Sequence, residues 1–588
     1  MNDRLAGLMP CPRSVRSLPG TFALTQATRT VAASDQPDDA AAQRAVSRVL
    51  TRLPWPASHP ETPSQLETPS PGQVTVTTSD DLGEEAYRLS IRPDGIVIEA
   101  GGAPGAFYAA QTLRQLLPHD AWRAAAPAQP ETAKTWLLPC AQIDDAPALA
   151  WRGGHLDVAR HFFPKHELLR LIDAYAALKL NRMHLHLTDD QGWRVESLRY
   201  PRPHEVGSHR PRTRLTHSKD PSPVYDETPH GGYYTLADLA ELSAYAADRM
   251  ITVVPEIELP GHATALLAAL PELGAGRPPE GGYQVSPDWG VFGNLLSPLP
   301  PTMDFLRDIF GELLAAMRVP YVHIGGDECV LDSWREDPRI DAYRRRRGLA
   351  SAAELHAAFL RDVADMLAGE FGVRAVVWDE GFASTGDQPG MLREDTIVMA
   401  WRGREIARRA AEAGHDVIAA PVLPTYFDYY QSDLESEPGG IGGPVGVMDV
   451  AAFTPVPGEW PASAQEHVIG AQFQVWTEYI RNGRDLEYMI FPRACALADV
   501  AWAGVAVMDG QPGRLPEGAA MPAALAARLA AHLGRLDAAG MEYRPLAGPA
   551  PWQEGGTGPR RHRPGYRVRD VTTHLDELAA AADGAKRG

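Results

Sequence analysis

From Trp151 onward one pattern recurs eight times. A short apolar or β-branched run ends in polar or aromatic residues, and a helical stretch usually follows. The runs are GHLDVAR, RMHLHLTD, ITVVPEIE, YVHIGGDE, RAVVWDE, TIVMAW, DVIAAP and IGAQFQVW. Strands this continuously apolar are buried on both faces, which happens when helices cover a parallel sheet. Between the third and fourth runs, Met303, Leu306, Ile309, Phe310, Leu313, Leu314 and Met317 fall on the stripe of a sheet-facing helix. Eight such units predict a (β/α)8 barrel with insertions; a doubly wound sheet is the alternative topology. In a barrel the chemistry sits at the C-terminal ends of the strands. Near those ends the sequence carries Arg152 and Asp157, Asp189 and Asp190, Glu258 and His262, Asp327 and Glu328, Trp378 and Asp379, Trp401, Tyr426 and Asp428, and Trp476 and Glu478. Core packing explains the apolar runs but not this ring of carboxylates and tryptophans.

The remainder reads as appendages. Residues 1–147 read as a small α+β domain. In it AYRLSIRPDGIVIEA alternates like a hairpin about Pro93-Asp94-Gly95, and GAFYAAQTLRQLL sets Phe107, Leu113, Leu116 and Leu117 on one helical face. Residues 56–82 and 123–135, rich in Pro, Ser, Thr, Ala and Glu, read as loops. The barrel is expected over 148–508, and residues 509–588 are expected to hold one helix (about Ala523 to Ala539) and a Gly/Pro/Arg-rich tail.

Composition narrows the function. The 588 residues carry 56 Lys and Arg against 75 Asp and Glu, a net charge of −19. That charge repels phosphate, and the Arg clusters at 344–347 and 560–563 are short, so nucleic acid is not expected as a partner. No stretch approaches the roughly 18 apolar residues of a membrane span. Four dispersed cysteines (Cys11, Cys140, Cys329, Cys495) without CxxC point to neither a disulfide scaffold nor a zinc ribbon. No secretory signal is visible in the given sequence and no Asn begins an N-glycosylation sequon, so a cytoplasmic location is expected. The predominance of Arg over Lys and the abundance of Ala suggest a GC-rich bacterial gene.

Three constellations carry chemistry. His323-Ile-Gly-Gly-Asp327-Glu328 ends the fourth run; its glycines allow close approach, and two adjacent carboxylates push their pKa values apart, keeping one protonated as an acid. His184-Leu-His186-Leu-Thr-Asp189-Asp190 ends the second run. A His-x-His pair projects to one side of a strand, as in metal-dependent hydrolase barrels; the other reading is a polar network supporting Asp189. Trp193, Trp378, Trp401 and Trp476 lie near strand ends beside acids or Arg. Indole faces stack on pyranose C–H surfaces while carboxylates and Arg bind hydroxyls, so these residues describe a sugar pocket.

Together these residues resemble glycoside hydrolase family 20, the β-N-acetylhexosaminidases, from about Leu8 to Pro545. WRGGHLDVARHFF, HLHLTDDQGWR, VVPEIELPGH, HIGGDE, VWDE, WRG, TYFD and VWTE occur in the family's order. The resemblance implies a retaining exo-enzyme that removes terminal β-linked GlcNAc or GalNAc, with the substrate's own acetamido oxygen as nucleophile. It implies Glu328 as general acid/base, Asp327 as the group holding the acetamido N–H, and Tyr426 as the donor to the acetamido oxygen. Trp378, Trp401 and Trp476 would wall the acetamido pocket. Arg152 and Glu478 would hold the C3 and C4 hydroxyls, with Asp428 on the C4/C6 side. Asp189 and His262, supported by Glu258 and His323, would tune Glu328. Neither metal nor organic cofactor is implied, and the partner is a small oligosaccharide or glycoconjugate. Two departures stand out. Glu258 occupies a position where many members have Asp. The stretch after Asp428, YYQSDLESEPGGIGG, lacks the Trp-containing loop many members use beyond the first sugar.

Competing readings are a metal-dependent amidohydrolase built on His184, His186 and Asp327, and a non-catalytic sugar binder on a degenerate barrel. Within the enzyme class, the alternatives are exo-enzymes for 6-sulfo-GlcNAc or for a lacto-N-biose unit.

Overall fold

The computed structural model describes residues 2–55, 72–125, 135–386, 388, 390–504, 507–508, 511–512 and 521–553. The Arg560–Arg563 cluster and the rest of the expected tail lie outside them, as do most of the two Pro-rich loops.

The eight apolar runs form the eight strands of a closed parallel barrel: Trp151–Asp157, Arg182–His186, Thr252–Glu256, Tyr321–His323, Arg374–Trp378, Ile397–Ala400, Val417–Ala419 and Val468–Phe473. The eighth strand pairs with the first through Gly470–Trp151 to Phe473–Gly154, which excludes the doubly wound alternative. The helix predicted from the 303–317 stripe spans Pro300–Met317. It starts at a proline, which needs no N–H partner there, and buries Phe305, Leu306, Ile309, Phe310, Leu313, Leu314 and Met317.

Before the barrel stands a six-stranded sheet in the order Ser14–Thr25, Thr135–Asp145, Tyr87–Arg92, Gly95–Ala100, Gln73–Thr78, Thr30–Ala32, packed against helices Pro37–Leu50 and Ala103–Gln115. The hairpin about Pro93-Asp94 is present, with Tyr87–Arg92 antiparallel to Gly95–Ala100. One expectation is corrected. Residues 73–78, read as loop, form a strand parallel to Gly95–Ala100. The alternation Val74-Thr-Val76 was hidden by the Pro/Ser/Thr composition around it, yet both valines are fully buried.

Buried ion pairs join the sheet domain to the N-terminal end of the barrel. Lys179 Nζ lies 2.8 Å from Asp145 Oδ2, and Asp145 also accepts from Tyr87 Oη and Trp502 Nε1, each at 2.7 Å. The C-terminal helix Ala523–Ala538 spans the same junction, pairing Arg528 with Asp499 at 2.6 Å and donating from Arg535 to Gly7 O at 2.9 Å. Among the described residues no helix is long and apolar enough to cross a membrane.

Candidate active site

The C-terminal end of the barrel opens into a pocket of about 270 Å3. Arg160, Asp189, His262, Asp327, Glu328, Trp401, Tyr426, Asp428, Trp476 and Glu478 all line it. Glu328 follows the fourth strand and Glu478 the eighth, so they face each other across a barrel of eight strands.

The fourth strand is followed by a turn that only its glycines permit. Gly325 and Gly326 have φ of +62° and +103°, and a Cβ on Gly325 would lie 1.9 Å from Glu258 Oε1. The Glu258 carboxylate fills that space, accepting from Gly326 N–H at 2.9 Å. The turn ends with Glu328 itself left-handed at φ +49°; His262, opposite, has φ +47°. Left-handed backbone at residues with a Cβ costs of order 1–3 kcal/mol each and is kept where surroundings enforce it. The two side chains meet, His262 Nε2 lying 3.4 Å from Glu328 Oε2.

Behind them runs a chain of charge. His262 Nδ1 lies 3.1 Å from Asp190 Oδ2 and 3.4 Å from Asp189 Oδ1. Burial alone would lower the His262 pKa, but Asp189, Asp190 and Glu328 hold it well above the usual imidazole value. Asp189 is in turn paired with Arg160 Nη2 at 2.8 Å and with His186 Nε2 at 3.0 Å. The other His186 nitrogen bonds Glu256, so the ring is an imidazolium between two carboxylates, its pKa raised to about 10 against the effect of burial.

Asp327 is incompletely satisfied. Its Oδ1 is buried without a partner, and burial, opposed by His262 but aided by Glu328, pushes its pKa up to about 7. Asp428 Oδ1 is likewise buried and unpartnered, and burial together with Glu478 holds Asp428 well above the carboxylate range. Beside these acids Trp401 stacks on Tyr426 at 6.3 Å and 28°, and Trp476 lies 6.3 Å from Tyr426.

Three expected site residues lie elsewhere. Trp193 is 1% exposed and outside the pocket, its Nε1 donating to Val195 O at 2.7 Å. Arg152 is the second residue of the first strand, so it sits at the opposite end of the barrel, roughly 16 Å of strand away from Asp157. There it is 1% exposed and forms a double hydrogen bond with Glu85 at 2.8 and 2.9 Å. The arginine in the pocket is Arg160, three residues beyond the strand's end in DVARHFF, a placement that counting residues along the strand would have shown. Trp378 is 1% exposed and lies beneath the pocket, its Nε1 donating to Glu256 Oε1 at 2.9 Å. Glu258 does not bond His262; it packs under the Gly325–Gly326 turn. Sequence reasoning also passed over Asp190 as the closest carboxylate to His262, and Glu256, around which His184, His186 and His323 gather.

That histidine cluster contains groups close enough to hold a metal ion, among them His155, His184 and Glu256. Their protons argue otherwise. Trp151 Nε1 donates to Gln472 Oε1, so the Gln472 amide nitrogen donates to His184 Nδ1 at 2.9 Å, and Val475 N–H donates to His155 Nδ1 at 3.1 Å. Both rings, kept neutral by burial, therefore carry their proton on Nε2, and both His186 nitrogens are bonded to carboxylates. With those protons in place none of the three imidazoles presents a lone pair, which favours a polar network around Glu256 and Asp189 over the amidohydrolase reading.

A strap from the loop after the second strand crosses the mouth to loops of the seventh and eighth. Ser218 N–H donates to Tyr479 Oη at 3.0 Å, and His217 stacks on Tyr479 at 5.7 Å and 6°. His217 Nδ1 accepts from Lys219 N–H, so its Nε2–H donates to Ile441 O at 3.1 Å. Buried Arg214 fixes the turn by donating to His217 O at 2.8 Å and Asp220 O at 2.6 Å.

Comparison with known proteins agrees with this geometry. Residues 149–505 match the profile "Glycosyl hydrolase family 20, catalytic domain", and residues 6–146 match "Glycosyl hydrolase family 20, domain 2". A beta-hexosaminidase of Porphyromonas gingivalis is 37% identical over 442 residues, 74% of this chain; the chain covers 53% of that enzyme's length. A beta-N-acetylhexosaminidase of Cellulomonas fimi is 34% identical over 82% of this chain and 86% of its own. Among solved structures, an exo-β-N-acetylglucosaminidase of Vibrio harveyi in complex with N-acetylglucosamine superimposes with a TM-score of 0.73 at 29% identity, covering 92% of this chain and 78% of that one.

Proposed function

The chain belongs to glycoside hydrolase family 20, and we propose that it is a retaining exo-β-N-acetylhexosaminidase acting by substrate assistance. The observation that carries this reading is the pairing of Asp327 with Glu328. One carboxyl is buried beside an aromatic cage with an oxygen unpartnered, burial pushing its pKa up to about 7. The other is half-buried and touches a charged histidine.

In this reading the non-reducing sugar spans the pocket from Glu478 to Glu328. Arg160, Glu478 and Asp428 bind its hydroxyls, the acids and the guanidinium supplying charge-assisted bonds from the pocket wall. Trp401, Tyr426 and Trp476 confine the acetamido group, and Tyr426 Oη donates to its oxygen. Asp327 accepts the acetamido N–H. Glu328 gives its proton to the glycosidic oxygen, the C1–O bond breaks, and the acetamido oxygen forms the new bond to C1. Positive charge then develops on the acetamido nitrogen, where the Asp327 carboxylate stabilises it. Water, activated by the Glu328 carboxylate, opens the ring from the face the aglycone left, so two inversions give retention.

Replacing N-acetyl by mono-, di- and trifluoroacetyl in aryl β-glycosides tests the nucleophile. kcat/KM should fall steeply with fluorine count, and aryl β-glucosides should be inert. A flat series would sink substrate assistance. Lys219 at the pocket rim favours a second reading in which an anionic 6-substituent is tolerated. Aryl 6-sulfo-GlcNAc assayed beside aryl GlcNAc and GalNAc decides it.

A further inference from the structure

We infer that the thiol of Cys329 is a positioning residue for the acid, tying the turn that carries Glu328 to the turn that carries His262. This rests on the reading of Glu328 as the acid. Glu328 and His262 are both left-handed, at φ +49° and +47°, and neither conformation is one a side chain prefers. Something must hold both turns, and Cys329 Sγ lies between them. Its S–H donates to Asp327 O, the carbonyl immediately before Glu328, at 3.2 Å. Gly261, immediately before His262, packs against the same sulfur. The contact is close: a Cβ on Gly261 would sit 3.2 Å from both Sγ and Asp327 O.

Behind the sulfur the helix Ala352–Met366 supplies a second anchor. His356 Nε2 is 3.6 Å from Sγ, and His356 Nδ1 is 2.9 Å from Ser384 Oγ. Because the S–H is committed to Asp327 O, His356 must donate Nε2–H to the sulfur, so Nδ1 accepts from the Ser384 hydroxyl. The result is a directed chain, Ser384 to His356 to Cys329 to Asp327 O. Burial keeps both members in the required form, the thiol protonated and the imidazole neutral with a pKa of about 4. Cys329 touches no reacting atom. It acts by setting where the Glu328 carboxyl stands against His262.

Cys329→Val keeps the volume and removes the donor; Cys329→Ser keeps the donor. For Cys329→Val the expected result is a fall in kcat of roughly tenfold on glycosides with poor leaving groups, and less on activated aryl glycosides. The basic limb of the kcat profile should move to higher pH, because a Glu328 carboxylate set away from the His262 cation keeps its proton longer. Cys329→Ser should restore part of both, and His356→Leu should shift the limb the same way by less. A merely structural loss would lower the melting temperature and leave the limb in place. If Cys329→Val does not fold, the Ser and His356 variants are read alone. Unchanged limbs and unchanged leaving-group dependence in the folded variants overturn the inference. Glu328→Gln in parallel tests the acid itself, so an error there shows separately, as a profile whose basic limb survives removal of the carboxyl.

Discussion

The two ends of the barrel both bury arginines and carboxylates, yet among the described residues only the C-terminal side leaves buried carboxyl oxygens without a partner. At the N-terminal end Arg152 is saturated by Glu85, Leu149 O, Lys179 O and Tyr108, and Asp145 is matched to Lys179, Tyr87 and Trp502. At the C-terminal end Asp327, Asp428 and Glu258 each keep a buried oxygen with no partner. Burial without a partner costs free energy, and Asp327 and Asp428 line the pocket itself, so a fold that keeps two such oxygens there is holding places for a ligand's hydrogen-bond donors. Paired charge fixes the domain junction, and unpaired charge prepares the pocket.

The strongest way to break this contrast is at Glu328. Glu328→Gln should lower kcat by about 10²–10⁴-fold on substrates with poor leaving groups, less on activated aryl glycosides, and abolish the basic limb of the rate profile. Equal losses on both substrate types would mean that Glu328 is not the acid. Next come the two arginines, which should separate cleanly. Arg160→Ala should lower kcat/KM by about 10²-fold through lost orientation of the sugar. Arg152→Ala should instead cost about 3 kcal/mol in denaturant unfolding, because it strands Glu85, while the folded fraction keeps its kcat/KM. An Arg152 variant with normal stability and poor turnover would return Arg152 to the site. The smallest effect sharpens the contrast from the other side. Asp327 holds its proton up to about pH 7 in the folded protein, whereas its unfolded pKa is near 3.8. The folded form therefore binds the extra proton between those values, and this contribution to stability is lost as pH rises through that window. Asp327→Asn, which cannot ionise, should match the parent near pH 4 and exceed it increasingly up to pH 8, each unit of the shift being worth about 1.4 kcal/mol. Its activity should be nearly gone, on good and poor leaving groups alike. A melting-temperature difference that is flat with pH would show that Asp327 ionises normally.

The barrel was legible because parallel strands buried on both faces write themselves as unbroken apolar runs, and all eight were visible. Val74 and Val76 were not, since two valines among Pro, Ser and Thr make no run. Within the site, carboxylates and tryptophans just past strand ends could be read from position alone. Arg152 could not, because WRGG looks like the start of a functional motif and only the strand's length shows that it opens at the far end. Trp378 ends its strand as expected, but an indole that donates to Glu256 points down the barrel axis, and that direction depends on the buried histidines of neighbouring strands. Glu256 itself reads as one apolar-strand position among others until His184, His186 and His323 are brought around it from the second and fourth strands.

The strap over the mouth has a kinetic consequence. Held at His217 and Ser218 by Ile441 and Tyr479 and stiffened by Arg214, it forms part of the pocket wall, so in the proposed exo-cleavage the severed sugar leaves on the side from which the chain entered. The shortened chain therefore cannot slide forward to present its next residue. On that proposal trimming would proceed by separate visits, with the freed monosaccharide competing with each incoming chain.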